Sequence, residues 1–409
     1  MTESRQPVHT VFGGAHLFRA GVVERFRALA LESLDAYAPD AASLGAALGL
    51  SRGTLADSLY PRVREKLLRE PIEDYRIDFE DGYGVRADAE EDGHAVAAAR
   101  EVAAGIAAGS LPWRVGVRVK SLDGTERERS ARTLRLFLST VMTVAGRLPS
   151  NFVVNLPKVT SVDQVTEFVE ILAAFEREFD LGEGALRFEV MIETPQIVLS
   201  ADGRSPLAML AKAGGDRLTG AIFGAYDFTA SLGITASHQS LRHPACVLAR
   251  NMMLVALAGT KIQLSDGATA VLPLPVHAPP AAGALSAAQS QENHRGVHAA
   301  WRLHADNIRH AMAGGFYQGW DLHPAQLVSR YAATFAFFIE GLDAAAARLK
   351  NFVAKSAQAT RVGAAFDDAA TGRGLVNYFL RAVRSGAITE PEAAAKVGLS
   401  LEAMRKLEF

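Results

Sequence analysis

Arg187-Phe188-Glu189-Val190-Met191-Ile192-Glu193-Thr194 and Gly220-Ala221-Ile222-Phe223-Gly224-Ala225-Tyr226-Asp227 are two matching stretches of strand type. Each is a short apolar run with an acid just past its last hydrophobic residue. The acids, Glu193 and Asp227, lie 34 residues apart, about one strand-helix-strand unit. In a parallel α/β sheet that spacing puts both carboxylates at the carboxyl edge of neighbouring strands, where such folds bind ligands. Two converging oxygen donors suit a hard divalent cation such as Mg²⁺.

The same kind of run recurs on both sides of this pair. Strand candidates are Val8–Phe18, Tyr75–Glu80, Trp113–Val119, Phe152–Leu156, Leu186–Glu193, Thr219–Tyr226, Ala270–Val276 and Phe316–Leu322. Segments with helical periodicity, such as Val162–Phe179 and Cys246–Ala258, lie between them. Eight alternating units in a chain of 409 residues predict an α/β fold, a (β/α)₈ TIM barrel, with a doubly wound sheet as the competing architecture. Residues 21–70 are too long for one crossover and predict a helical insertion after strand 1. Ala278–Gln291, without periodicity, predicts a loop or lid at the active face. The barrel is expected over 1–328. A helical C-terminal extension or lid is expected over 329–409, broken near Gly372-Arg373-Gly374.

Composition narrows the partners. Hydrophobic content is 49%, charged content 22% and the formal net charge −2, as in an ordinary globular protein with no electrostatic preference for nucleic acid or anionic membrane. No apolar run is long enough to span a bilayer and no secretory signal is visible, so a cytoplasmic location is expected. Cys246 is the only cysteine, which excludes an internal disulfide and a thiolate metal cage.

The strand ends carry the chemistry. Asp78, Glu80 and Asp81 close strand 2, where Ile77 and Phe79 share one face and Asp78 and Glu80 the other. Arg118 ends strand 3, Lys158 follows strand 4, and Asp321 and His323 lie at strand 8. On a barrel these tips converge on one mouth. His16, in Gly13-Gly14-Ala15-His16, is a further candidate, although a tight turn explains the glycines. A carboxylate-held ion with open positions would polarise a carbonyl, and Arg118 offers a clamp for a carboxylate. No phosphate-binding Gly-x-x-x-x-Gly-Lys-Ser/Thr loop is present.

In register, Asp78-Phe79-Glu80-Asp81, Arg118, Leu156-Pro157-Lys158, Ile192-Glu193-Thr194, Tyr226-Asp227-Phe228 and His323-Pro324-x-Gln326 resemble the citrate lyase beta subunit, malyl-CoA lyase and malate synthase superfamily. The resemblance, running roughly from Val8 to Arg384, implies a Mg²⁺-dependent carbon–carbon lyase or aldolase acting through an enolate. Its substrate would be a small oxo- or hydroxy-carboxylic acid, free or as a CoA thioester. It makes Glu193 and Asp227 the metal ligands and Arg118 the oxo-acid binder. Asp78, Glu80 and Asp81 become a second acidic cluster, and Lys158 and His323 supporting residues. A homo-oligomer is expected. A condensing, thioester-hydrolysing enzyme like malate synthase and a non-catalytic metabolite-binding barrel are the alternatives.

One family feature is missing. Where related lyases carry an Asp-Gly-Lys-Met-Ile-Asp turn, this chain reads Asn377-Tyr378-Phe379-Leu380-Arg381, and Asp367 and Asp368 are the nearest acids. His294 and His298 read as solvated or capping histidines. The tail from Ile388, with a capping box at Thr389 and Glu392, reads as a packing or oligomerising helical pair rather than a DNA-binding motif.

Overall fold

The computed structural model describes residues 5–50, 54–124, 126–279, 283–354, 360–362, 365–367 and 369–407. Eight parallel strands close into a barrel in sequence order. They are β1 (His9–Gly14), β2 (Asp74–Asp78), β3 (Arg114–Arg118), β4 (Val153–Leu156), β5 (Arg187–Ile192), β6 (Leu218–Phe223), β7 (Gln263–Ala268) and β8 (Gln318–Asp321). Closure is made by β1 on β8, with His9 opposite Gly319 and Val11 opposite Asp321. The expected TIM barrel is therefore the fold observed.

After β1 come α1 (Val22–Tyr37), α2 (Ala41–Leu48) and α3 (Thr54–Arg69), the helices of the expected insertion. Asp40 starts α2 with a capping box to Ser43, and α2 packs on the later α11 while α3 packs on α12. The remaining outer layer is α4 (Asp88–Ala108), α5 (Glu126–Ala145), α6 (Val162–Glu178), α7 (Pro195–Val198), α8 (Leu207–Gly214), α9 (Ala225–Ser231), α10 (Pro244–Ala256), α11 (Ala287–Ala313) and α12 (Gln326–Glu340). Helix α6 shows why such segments fold as they do. Val165, Phe168, Leu172 and Phe175 recur at helical spacing and are buried, and a Ser161–Gln164 capping box starts the helix.

Three boundaries differ from the sequence reading. The seventh strand is Gln263–Ala268, not Ala270–Val276, which is irregular. Pro273 and Pro275 lack the N–H groups a central strand must donate, whereas Asp266-Gly267, which resembles a turn, lies inside the true strand. Helix α12 covers the barrel, so the extension begins at α13 (Leu342–Ala354) rather than at 329. Beyond the hairpin of β9 (Thr360–Val362) and β10 (Ala365–Asp367), α14 (Ala369–Arg384) runs unbroken through Gly372 and Gly374. Each glycine costs a helix about 1 kcal/mol, which burial of Leu375, Val376 and Phe379 offsets.

The chain ends in α15 (Glu390–Val397), started by the expected Thr389–Glu392 capping box, and α16 (Leu401–Arg405). Arg381 lies 3.9 Å from the ring centre of Tyr317, just before β8, and Arg62 pairs with Glu392. The far end of α14 thus sits at the N-terminal end of its own barrel, opposite the strand tips. Asp368 lies outside the described residues. Among the described residues no helix is long and apolar enough to cross a membrane.

Candidate active site

Alternation along the strands sorts the barrel interior into layers. Asp74, Arg76 and Asp78 of β2 point inward while Tyr75 and Ile77 pack under the helices, all of them buried. In the lower half Arg76 reaches Asp74 and Asn155 and lies 2.8 Å from Glu189, which also receives Arg114 at 2.9 Å. Thr10 donates to Asp74 at 3.0 Å, and Gln318 donates to Thr10 at 2.9 Å. Two arginines and two acids balance here, as buried charge requires. Above them Phe12, Met191, Ile222 and Trp320 form an apolar floor.

The mouth rests on this floor. The Arg118 guanidinium lies 4.9 Å from the Phe12 ring centre and 5.3 Å from that of Trp320. Its Nε and Nη2 donate to Asp78 at 2.7 and 2.5 Å, and Nη1 lies 3.1 Å from Glu80. Burial opposes the charge of Arg118, but Asp78 and Glu80 outweigh it and raise the pKa above the ordinary arginine value. Asp78 also accepts from the Glu80 and Gly82 N–H groups at 2.9 and 2.8 Å, and a Cβ on Gly82 would overlap its carboxylate.

Glu193 follows β5 and is 1% exposed. Its Oε1 accepts the Lys158 backbone N–H at 2.7 Å, and among the described residues it makes no ion pair. Burial pushes its pKa up to about 7, a rise opposed by Arg118 and reinforced by Asp227. Gly224 leaves room for it, since a Cβ there would overlap Glu193 Oε2. Asp227 sits in the first turn of α9, 40% exposed, with Lys158 Nζ 3.5 Å from its Oδ2. The same ammonium contacts Glu80 and lies 3.0 Å from Asp81. Burial works against this charge, but Glu80, Glu193 and Asp81 hold its pKa above the ordinary lysine value.

Seven of the nine candidates therefore meet at one mouth: Asp78, Glu80, Asp81, Arg118, Lys158, Glu193 and Asp227. His16 lies at the rim, 5.6 Å between ring centres from Tyr83, and His323 turns aside to accept from Ala325 N–H at 3.1 Å, at the start of α12. Asp321 is not at the mouth. It points outward, fully buried against His9, His304 and Arg330, because Trp320 takes the inward position of β8. His298 contacts the carbonyl of Tyr37 at 2.7 Å and His294 that of Ser290 at 2.9 Å, away from the mouth. The floor residues and the buried Arg76 layer are the parts sequence reasoning missed. Strict alternation of Asp74, Arg76 and Asp78 was their visible signal.

Among the described residues no three His, Cys, Asp or Glu side chains converge as a metal cage. The donor set is the carboxylate pair, which fits Mg²⁺, an ion that usually keeps several waters and binds through one or two carboxylates. A buried Glu193 without an ion-pair partner among the described residues has the electrostatic character such an ion would satisfy.

The fold has close counterparts. A citrate lyase from Burkholderia xenovorans matches at TM-score 0.61 with 18% identity over 97% of this chain and 98% of that one. Malate synthase of Haloferax volcanii, in a magnesium and glyoxylate complex, matches at TM-score 0.50 with 16% identity over 100% of both chains. In sequence, L-malyl-CoA/beta-methylmalyl-CoA lyase of Haloarcula marismortui is 34% identical over 112 residues, 27% of this chain and 29% of that protein's length. The barrel fold is thus shared with these citrate lyase and malate synthase structures. The family model described as domain of unknown function DUF6986 matches residues 1–409, and the chain belongs to that family.

Proposed function

We propose that the mouth is the active site of a Mg²⁺-dependent carbon–carbon lyase of aldolase type, acting on a small oxo- or hydroxy-carboxylic acid, free or as its CoA thioester. The observation that carries this reading is Glu193, a buried carboxyl without an ion-pair partner among the described residues, set beside Asp227 and Arg118. Glu193 and Asp227 would hold the ion. When bound, Mg²⁺ would supply Lewis-acid polarisation of a carbonyl and stabilise the negative charge of an enolate.

The protein's own groups do the rest. Asp78 fixes two nitrogens of Arg118, whose guanidinium is packed against the adjacent Phe12 and Trp320 rings, while Nη1, now beside Glu80, is the nitrogen that would exchange that carboxylate for a substrate oxygen. The apolar floor excludes water from below and limits the depth available, which favours a short substrate. Asp81, 55% exposed, would exchange a proton with bound substrate as a carboxylate base, since against the effect of burial Arg118 and Lys158 hold its pKa below the ordinary value. The magnesium and glyoxylate of the malate synthase complex, and the lyase activity named for the Haloarcula protein, agree with this class of chemistry. A condensing reaction like that of malate synthase would use the same site, running the carbon–carbon step in reverse and then adding hydrolysis of the thioester by water.

A second reading, a barrel that binds its metabolite without turnover, is favoured by α14, which carries no Asp or Glu in Ala369–Arg384. Release of an oxo acid from hydroxy acids and their CoA thioesters, measured with and without EDTA, separates the two. Turnover that requires Mg²⁺ and vanishes in Glu193→Ala is expected. Binding of glyoxylate with no product from any substrate would favour the binder, and turnover indifferent to EDTA would refute the metal-dependent mechanism.

A further inference from the structure

We propose that Lys158 is the mouth's resident counter-cation and sets how tightly the site holds a divalent ion; this rests on the metal-binding role proposed above. Lys158 follows Pro157 at the end of β4 and has φ +51°, in the left-handed region that residues other than glycine rarely adopt. That conformation aims its parts in two directions. Its backbone N–H donates to Glu193 at 2.7 Å, while its ammonium contacts Glu80 and lies 3.0 Å from Asp81 and 3.5 Å from Asp227. One residue thus engages both carboxylates of the ion-binding pair, one through the main chain and one through charge.

The other cation of the mouth is fixed. Arg118 is buried, bonded through two nitrogens to Asp78 and packed against the adjacent rings of Phe12 and Trp320. Lys158 is different: its side chain is 32% exposed and ends a flexible four-carbon stem. An ammonium and a divalent ion near Asp227 draw on the same negative charge and repel each other. At separations of several ångströms in a partly solvated mouth, removing the single charge should tighten ion binding by roughly tenfold to a hundredfold. The lysine would thereby keep the acids neutralised in the metal-free protein and hold metal affinity below the maximum that these carboxylates permit.

The test is calorimetric titration of the full chain with Mg²⁺, and with Mn²⁺ as a second probe. Lys158→Met keeps the stem without the charge. Lys158→Gly keeps the N–H to Glu193 and removes the left-handed cost. Both should bind the ion about tenfold or more tightly than wild type, Lys158→Arg should stay near wild type, and Glu193→Gln should abolish binding in every background. Circular dichroism and melting of each variant check the fold, and a gain of affinity is an effect that structural damage does not produce. Unchanged or weaker binding by folded Met and Gly variants, with wild type still binding, would overturn the role of Lys158 and leave the metal site standing. If wild type binds neither ion, both readings fall.

Discussion

Replacing Glu193 by Gln should stabilise the metal-free protein at alkaline pH and leave it little changed in acid. Folding carries this carboxyl from an ordinary value of 4.5 to about 7, because burial disfavours its charged form. Below pH 4.5 both folded and unfolded chains hold the proton, so the site costs nothing. Between 4.5 and 7 the folded chain still binds a proton that the unfolded chain has lost, so stability falls as pH rises; above 7 the loss is complete and constant. A raised pKa of this size corresponds to about 3 kcal/mol, with no discount for solvent because the group is 1% exposed. Glutamine has the shape of the protonated acid and no charge to bury. Guanidinium denaturation in EDTA at pH 5 and pH 8, wild type against variant, should show the variant gaining most of that difference between the two. Mg²⁺ at pH 8 should then raise wild type and not the variant, since the ion binds only the carboxylate. A variant-to-wild-type difference that is the same at both pH values would refute the electrostatic account of Glu193.

Two further changes probe the layers around it. Gly224→Ala should weaken Mg²⁺ binding and turnover by roughly tenfold or more while secondary structure survives, because the added Cβ displaces the Glu193 carboxylate; calorimetry and circular dichroism together check this. Arg76→Met should destabilise the barrel by about 3–5 kcal/mol in chemical denaturation, since it leaves Asp74 and Glu189 short of their shared cation, and the double change with Glu189→Gln should recover part of the loss.

Much of the site was legible because parallel strands place their last residues together. Acids after the apolar runs at 187–192 and 220–226 had to arrive near one another once the strands were neighbours. Parity was legible on β2, where Ile77 and Phe79 point away from Asp78. It failed on β8, where a hydrophobic Trp320 takes the inside and a charged Asp321 the outside, because an ion network with His9, His304 and Arg330 satisfies the acid there. Strand β7 was hidden because Ser265, Asp266 and Gly267 lack the apolar, β-branched character of a strand and owe their conformation to neighbours far away in sequence. The role of α12 was illegible for a related reason. Gly341 marks the end of α12 locally, but helical periodicity resumes in α13, and a glycine stop does not tell a barrel-wall helix from one of an extension. The position of α14 under its own barrel depends on contacts with Gln6 and Tyr317, more than 60 residues away in sequence.

The balanced quartet of Asp74, Arg76, Arg114 and Glu189 beneath the apolar floor has a consequence for how this chain can diverge. Each member neutralises another, so a change at one position alters the worth of every residue at the other three. Single steps through such a set pass by way of an exposed debt of charge in a dry interior. Lineages descending from this sequence are therefore expected to inherit the quartet whole or to exchange it in oppositely charged pairs, while the outward-facing positions of the same strands vary one at a time.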